Sequence, residues 1–355
     1  MTADIYRRLQ QQLEQYSMGF PATASGIEIR ILQYLFTEQE AKIFTRLTPM
    51  LETARAVSAR TQQPEAAVAE QLELMADKGL LFCLKKGEQA RYGAIPFVHG
   101  LFEFQVKNLT PEFAAMARQY FDEAFDHAMQ KGAEYFLRTI PVHKSIDVTH
   151  HVASHEDALA ILRDKPAIVV TDCICRKTAA LVDHDCGKPL EACFMFGSMG
   201  RYYLDRGMGR EISLAEAEKI LADCREAGLV TQPATSQNPG GMCNCCGDCC
   251  GVLRALNKHP KPADLVFSNH FARVDADACT GCEACLDRCQ MGALALSAED
   301  SARVDLDRCI GCGLCVSVCP VEALTLVSKS GADYRMPPET MTDQMMHLAR
   351  KRGVI

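Results

Sequence analysis

Cys279-Thr280-Gly281-Cys282-Glu283-Ala284-Cys285-Leu286-Asp287-Arg288-Cys289 is followed thirty residues later by Cys309-Ile310-Gly311-Cys312-Gly313-Leu314-Cys315-Val316-Ser317-Val318-Cys319-Pro320. Both stretches read C-x-x-C-x-x-C-x-x-x-C. The duplication extends beyond the sulfurs: Ala272-Arg273-Val274-Asp275 returns as Ala302-Arg303-Val304-Asp305, and Ala293-Leu294 as Ala323-Leu324. Three cysteines at intervals of three lie on a tight loop and reach three irons of a cubane, so the fourth thiolate must come from elsewhere. Gly281, Gly311 and Gly313 let backbone N–H groups approach the sulfurs and stabilise their charge. Short Cys-x-x-Cys pairs also bind zinc. Two matched four-cysteine runs favour a pair of cubanes, and with them single-electron transfer.

Residues 268–330 resemble the bacterial two-cluster ferredoxin domain in these motifs. The resemblance implies a βαβ-repeat fold with antiparallel pairing and two [4Fe-4S] clusters whose fourth ligands are exchanged between repeats. One cluster would use Cys279, Cys282, Cys285 and Cys319, the other Cys309, Cys312, Cys315 and Cys289. Cys289 is followed by Gln290 where the family often has proline, a departure that touches the local turn and none of the thiols.

The chain has 355 residues, room for two or three domains, and 48% of them are apolar. Nineteen cysteines in so long a chain, at metal-like spacing, argue against a disulfide scaffold. Met1–Gln11 is polar rather than signal-like, and no apolar run of about eighteen residues occurs, so a reducing cytoplasm is the expected compartment. The net charge is −7, and each oxidised cubane with four thiolates adds roughly −2. Redox partner proteins with a basic docking face are therefore expected, and nucleic acid is not.

The expected fold class is α+β. The parts are an N-terminal helical winged-helix-like domain (1–105), a connecting helix (106–137), a central cysteine-rich α/β domain (138–262), the βαβ-repeat ferredoxin domain (263–330) and a tail helix (331–355). Thr37-x-x-Glu40 reads as a capping box. Helices are expected over Leu51–Ala59 and Pro64–Lys78, then a hairpin turning at Lys85-Lys86-Gly87-Glu88. Three helices and a wing resemble a winged-helix domain, a family associated with DNA binding. The third helix nevertheless carries Glu65, Glu70, Glu73 and Asp77 against Lys78, which would repel a phosphate backbone and favours a structural or protein-docking role. Residues 108–137 read as one long helix striped with Phe113, Met116, Tyr120, Phe121 and Phe125. Met341, Met345, Met346 and Leu348 give the tail helix an apolar face.

The middle of the chain places Cys173, Cys175, Cys186 and Cys193 in one block and Cys243, Cys245, Cys246, Cys249 and Cys250 in another. A strand over Ala167–Val170, continued through the cysteines, would point Cys173 and Cys175 to one face. Ser154 and Ser213 read as helix caps, Ile146-Asp147-Val148 as a short strand and Thr231–Gly241 as a polar loop. Nine thiols suit one or two further [4Fe-4S] clusters. The first block could hold one and the second another, or both could share a cluster. Zinc and reactive thiols are the alternatives. Cys224 reads as structural, and Arg176, Lys177 and Lys188 as surface charge or as balance for a cluster. His184 is a candidate fourth ligand, while His150, His151 and His155 lack ligand spacing. The paired Cys-Cys-Gly steps weakly resemble heterodisulfide reductase-like domains. The whole arrangement resembles multi-cluster [4Fe-4S] dicluster-domain proteins of anaerobic bacteria. It implies an electron carrier or a redox subunit of an oxidoreductase complex. A cluster-controlled transcription regulator and an enzyme with an open iron or thiol site are the competing classes.

Overall fold

The computed structural model describes residues 2–87, 89–129, 136–142 and 154–355. It begins with α1 (Thr2–Leu13), α2 (Ile27–Leu35) and α3 (Glu38–Phe44). Thr37 and Glu40 cap α3 reciprocally: the Glu40 N–H donates to Thr37 Oγ1 at 3.3 Å, and the Thr37 N–H to Glu40 Oε2 at 2.8 Å. After Pro49–Leu51 come α4 (Ala54–Thr61), α5 (Glu65–Asp77) and a hairpin of β1 (Phe82–Lys86) and β2 (Gln89–Gly93), with Glu52 bridging to Tyr92 as a third short rung.

The expected long helix is broken. It consists of α6 (Pro111–Tyr120), a π-turn over Phe121–Phe125 and α7 (Asp126–Met129); residues 130–135 lie outside the described residues. The wider π-turn seats Phe121 and Phe125 against each other at 4.9 Å, and Phe121 packs under Gly251.

The Ile146–Val148 strand, His150, His151 and Glu88 also lie outside the described residues. Ser154 opens a 3₁₀ turn, and Asp157, not Ser154, caps α8 (Ala158–Arg163) by accepting from the Leu159 N–H at 2.8 Å. Then follow β3 (Ile168–Asp172), α9 (Ile174–Val182), β4 (Glu191–Phe196), α10 (Gly197–Asp205), β5 (Arg210–Ile212), α11 (Leu214–Glu226), β6 (Val230–Pro233), β7 (Gly241–Cys245) and α12 (Gly251–Lys258).

These strands form a sheet of order β5-β3-β4-β7-β6 in which every neighbouring pair is antiparallel. The central region is therefore not α/β as the sequence suggested. After α9, segment 183–190 carries the chain back to the end of β3, where the Cys173 N–H donates to Leu190 O at 2.8 Å, so β4 starts where β3 stopped. Thr231–Pro233, expected in a loop, is a buried edge strand paired with β7.

In the carboxy-terminal part β8 (His270–Val274) pairs with β11 (Leu324–Ser328), and β9 (Leu294–Leu296) with β10 (Ala302–Val304), both antiparallel. The duplicated sequence thus gives two matched ladders. Between them the cysteine runs occupy turns, with a single 3₁₀ turn at Val316–Val318 in the second repeat among the described residues. The tail helix α13 (Met341–Lys351) packs back on the chain: Leu348 is buried, Gln344 Nε2 donates to Phe136 O, and Arg352 bonds Glu14.

One apolar core runs from α1–α6 to Cys245, Cys250, Met291, Leu314 and Leu348. No helix among the described residues is long and apolar enough to cross a membrane.

Candidate iron–sulfur and thiolate sites

The repeat loops shape two cavities. The first is lined by Cys279, Cys282 and Cys285 of one repeat and Cys319 of the other; the second by Cys309, Cys312 and Cys315 with Cys289. Backbone N–H groups already point at the sulfurs: Ala302 N lies 3.3 Å from Cys279 Sγ, Ala272 N 3.4 Å from Cys309 Sγ, and Ala293 N 3.2 Å from Cys289 Sγ. Gly281 and Gly311 take left-handed φ of 66° and 67°, and a Cβ there would run into Asp300 O and His270 O respectively. Four converging thiols with amide donors suit the ligand set of a cubane.

The two cavities differ in depth. Cys282 is exposed, whereas burial pushes the Cys312 thiol up to about 12 and Cys315 higher still. The second cavity faces inward. Gln290, beside Cys289, accepts from the Gly247 N–H at 2.6 Å through Oε1 and from Asn257 Nδ2 at 2.8 Å through its carbonyl. Where the family often has proline, this chain has a residue that bonds the ferredoxin repeats to the second central cysteine block.

The nine central thiols do not group by sequence block. The sheet register sets Thr171, Cys193 and Cys243 abreast on β3, β4 and β7. Cys173 follows β3 as the N-cap of α9, so Cys175 lies in the first helical turn rather than on a strand face. Cys245 ends β7, and Cys250 is the N-cap of α12.

Six sulfurs close a ring: Cys173 reaches Cys175 and Cys193, Cys175 reaches Cys250, Cys250 reaches Cys245, Cys245 reaches Cys243, and Cys243 reaches Cys193. Packed this closely, the six thiols titrate as a set: hydrogen bonds from its two neighbours favour a thiolate within the ring, while burial opposes ionising all of them. Cys173 and Cys250 sit at helix N-termini, where the backbone favours negative charge.

Two residues that sequence reasoning missed adjoin the ring. Burial works against charging His99, yet its hydrogen bond to Cys243, together with the charges of Glu103, Cys243 and Cys250, holds its pKa above the ordinary imidazole value. Burial pushes the Glu103 carboxyl up to about 7, even though it accepts from the Gly100 N–H at 3.0 Å. No motif surrounds them; a left-handed φ of 58° at His99 is their structural mark.

Arg176 is buried, not surface charge. Its Nη1 donates to Asn244 O at 3.1 Å and lies 3.8 Å from Cys246 Sγ, and the charges of Cys173, Cys193 and Cys246 oppose its desolvation. Lys177 bonds Asp172 and Val106 O, while Lys188 and His184 both reach Asp248. Cys186 lies apart from the ring with Cys246 and Cys249. Cys224 is buried in apolar surroundings, its thiol pushed up to about 12 by burial. His155 is partly buried beside Arg138, and both its burial and that charge lower its pKa.

A family model described as the 4Fe-4S dicluster domain matches residues 272–326. No curated protein and no solved structure matches the chain. The matched segment contains both cavities. The chain is an iron–sulfur protein with at least one [4Fe-4S] cluster, and a general role in electron transfer goes with it.

Proposed function

We propose that the chain is an electron relay. The two ferredoxin-type cavities hold one [4Fe-4S] cluster each, on Cys279, Cys282, Cys285 and Cys319 and on Cys309, Cys312, Cys315 and Cys289. The ring of Cys173, Cys175, Cys193, Cys243, Cys245 and Cys250 holds a further iron–sulfur cluster. Bound clusters supply reversible one-electron chemistry. The chain's own residues set the order of the relay: Cys282 lies at the surface, the second cavity lies deeper, and Gln290 ties that cavity to the loop bearing Cys246 and Gly247. Arg176 and His99 place positive charge beside the ring and favour the more negative, reduced state.

The observation that carries this reading is the mixed lining of each cavity, three sulfurs from one repeat and one from the other. The N-terminal unit to about residue 105 is winged-helix-like, and it docks on the central region instead of reading DNA. Tyr202 Oη donates to Ala76 O at 3.1 Å and Leu81 O at 2.9 Å, and Arg206 pairs with Glu73 and Asp77, so α10 engages the acidic face of α5. The external partner is a redox protein with a basic face, matched to the chain's net charge of −7.

Iron and acid-labile sulfide are measured on anaerobically purified protein, with EPR after reduction. The expected result is more than about eight irons per chain, the number for two cubanes, with interacting reduced clusters. Eight irons alone would refute the central cluster, and fewer than eight in oxygen-protected material would refute the ferredoxin pair.

A further inference from the structure

The thiols left outside the six-membered ring are not spare. Cys186, Cys246, Cys249 and Asp248 bring one ligand atom each to a common point, all within 4.8 Å of one another. Sequence alone does not place them together. Cys246 and Cys249 flank a turn between β7 and α12, and Cys186 arrives on the loop after α9, about sixty residues earlier. The adjacent pairs Cys245-Cys246 and Cys249-Cys250 explain the arrangement. Neighbouring side chains at the end of strand β7 point to opposite sides, and the turn at 247–249 leads into the α12 N-cap at Cys250, so each pair has one thiol in the ring and the other at this second point.

The spacing selects the occupant. A tetrahedral zinc ion with bonds of about 2.3 Å holds its thiolates about 3.8 Å apart. A four-iron cage holds them farther apart, because irons and sulfides stand between them. The quartet is thus sized for a single ion. Three sulfurs and one carboxylate oxygen form a set that zinc accepts, and no ligand position is left over for water.

The surroundings suit a closed, charge-balanced site. Apolar residues Ala179, Ala192 and Leu229 back it together with the Cys224 side chain. Lys188 Nζ lies 3.4 and 3.3 Å from the two Asp248 oxygens, His184 Nε2 lies 3.5 Å from Oδ2, and Arg176 Nη1 lies 3.8 Å from Cys246 Sγ. Lys188 and Arg176, together with the two charges of the ion itself, offset three thiolates and a carboxylate, and the Lys188 and His184 contacts orient Asp248.

The geometry points to a mononuclear, zinc-type metal site on Cys186, Cys246, Cys249 and Asp248, separate from every iron–sulfur cluster and bracing the cysteine loop between β7 and α12. It ties the loop bearing Cys186 to the turn bearing Cys246 and Cys249. Electron transfer is not asked of it.

The test is metal analysis of the full chain, purified anaerobically from cells supplied with both iron and zinc. The expected result is about one zinc per chain beside the iron. Cys249→Ser, and independently Cys186→Ala on the loop, lose that zinc while iron and the reduced-cluster EPR signals stay at wild-type levels. Cobalt in place of zinc gives the intense visible bands of a tetrahedral thiolate site, which Asp248→Asn shifts and Cys249→Ser abolishes. Wild-type protein without zinc overturns the proposal. So does loss of about four irons in either cysteine variant, which would assign these thiols to a cubane. A single non-cluster iron at the site overturns the zinc assignment, and a Cys246–Cys249 disulfide in the intact protein's mass overturns the site itself.

Discussion

His99 holds a backbone conformation that a side chain ordinarily avoids, stacks on Phe136 at 4.3 Å and reaches Cys243. A left-handed residue other than glycine costs about 1–3 kcal/mol and persists where its surroundings demand it. Here the demand is a donor aimed at the thiol ring. His99→Leu removes that donor, and the more negative reduced state of the proposed central cluster is then less well stabilised. An EPR-monitored titration is expected to show a lower midpoint potential for the central cluster and unchanged potentials for the ferredoxin pair; an unaltered central potential would sever the imidazole from the site. His270 acts differently. Burial, helped by the positive charge of Lys329, pushes its pKa down to about 4. A depressed folded-state value means protonation favours the unfolded chain. The stabilising contribution is complete above about pH 6.5 and is lost as pH falls toward 4. Between pH 7.5 and 4.5 the loss amounts to about 2–3 kcal/mol. Chemical denaturation at both pH values should show His270→Gln losing less stability than wild type by that margin. Equal losses would mean that the imidazole is protonated in the fold.

At the scale of elements, the connections most easily read were local ones. The capping boxes and the duplicated cysteine runs declare themselves within four to eleven residues, and α3 and α11 start where Thr37 and Ser213 say they should. The central site was not legible in this way. Cysteine is an unusual N-cap, so nothing marked Cys173 and Cys250 as helix starts. The closing of the ring depends on the pairing of Cys193 with Cys243, a long-range register that no local pattern encodes. Gln290 shows the same limit: its departure from proline was visible, but its partner Gly247 lies 43 residues away. Gln290→Pro deletes that acceptor and is expected to cost about 1 kcal/mol, read as a lower Tm with the ferredoxin iron retained. In the same protein electron exchange between the second ferredoxin cluster and the central one should slow, as followed by freeze-quench EPR. An unchanged exchange rate would show that this link does not set the coupling.

Across the whole molecule, the N-terminal unit is bound into the cluster-bearing body by more than its chain connection. Phe20, Phe97 and Tyr120 meet in tilted and edge-on contacts with centroids 4.5–5.1 Å apart, joining the first helices to α6, and the same continuous core includes Cys245 and Cys250. His99 and Glu103 approach the ring just beyond the hairpin. On the outer side, Glu73 and Asp77 of α5 are committed to Arg206, whose side chain is 7% exposed. A helix whose acidic face serves as an internal dock cannot lie against phosphates without breaking that contact, and the chain's charge of −7 opposes the approach from a distance. Arg206→Ala frees Asp77 and leaves Glu73 to Lys85 and Tyr92, and because both carboxylates keep access to water the expected cost is modest, about 1–2 kcal/mol in chemical denaturation. Neither wild type nor this variant should bind random-sequence duplex DNA in a fluorescence-anisotropy titration at low salt, because removing Arg206 takes away a positive charge and leaves Asp77 unpaired by it. Salt-sensitive nanomolar binding by the wild type would instead make the N-terminal unit a DNA reader and the clusters its sensor.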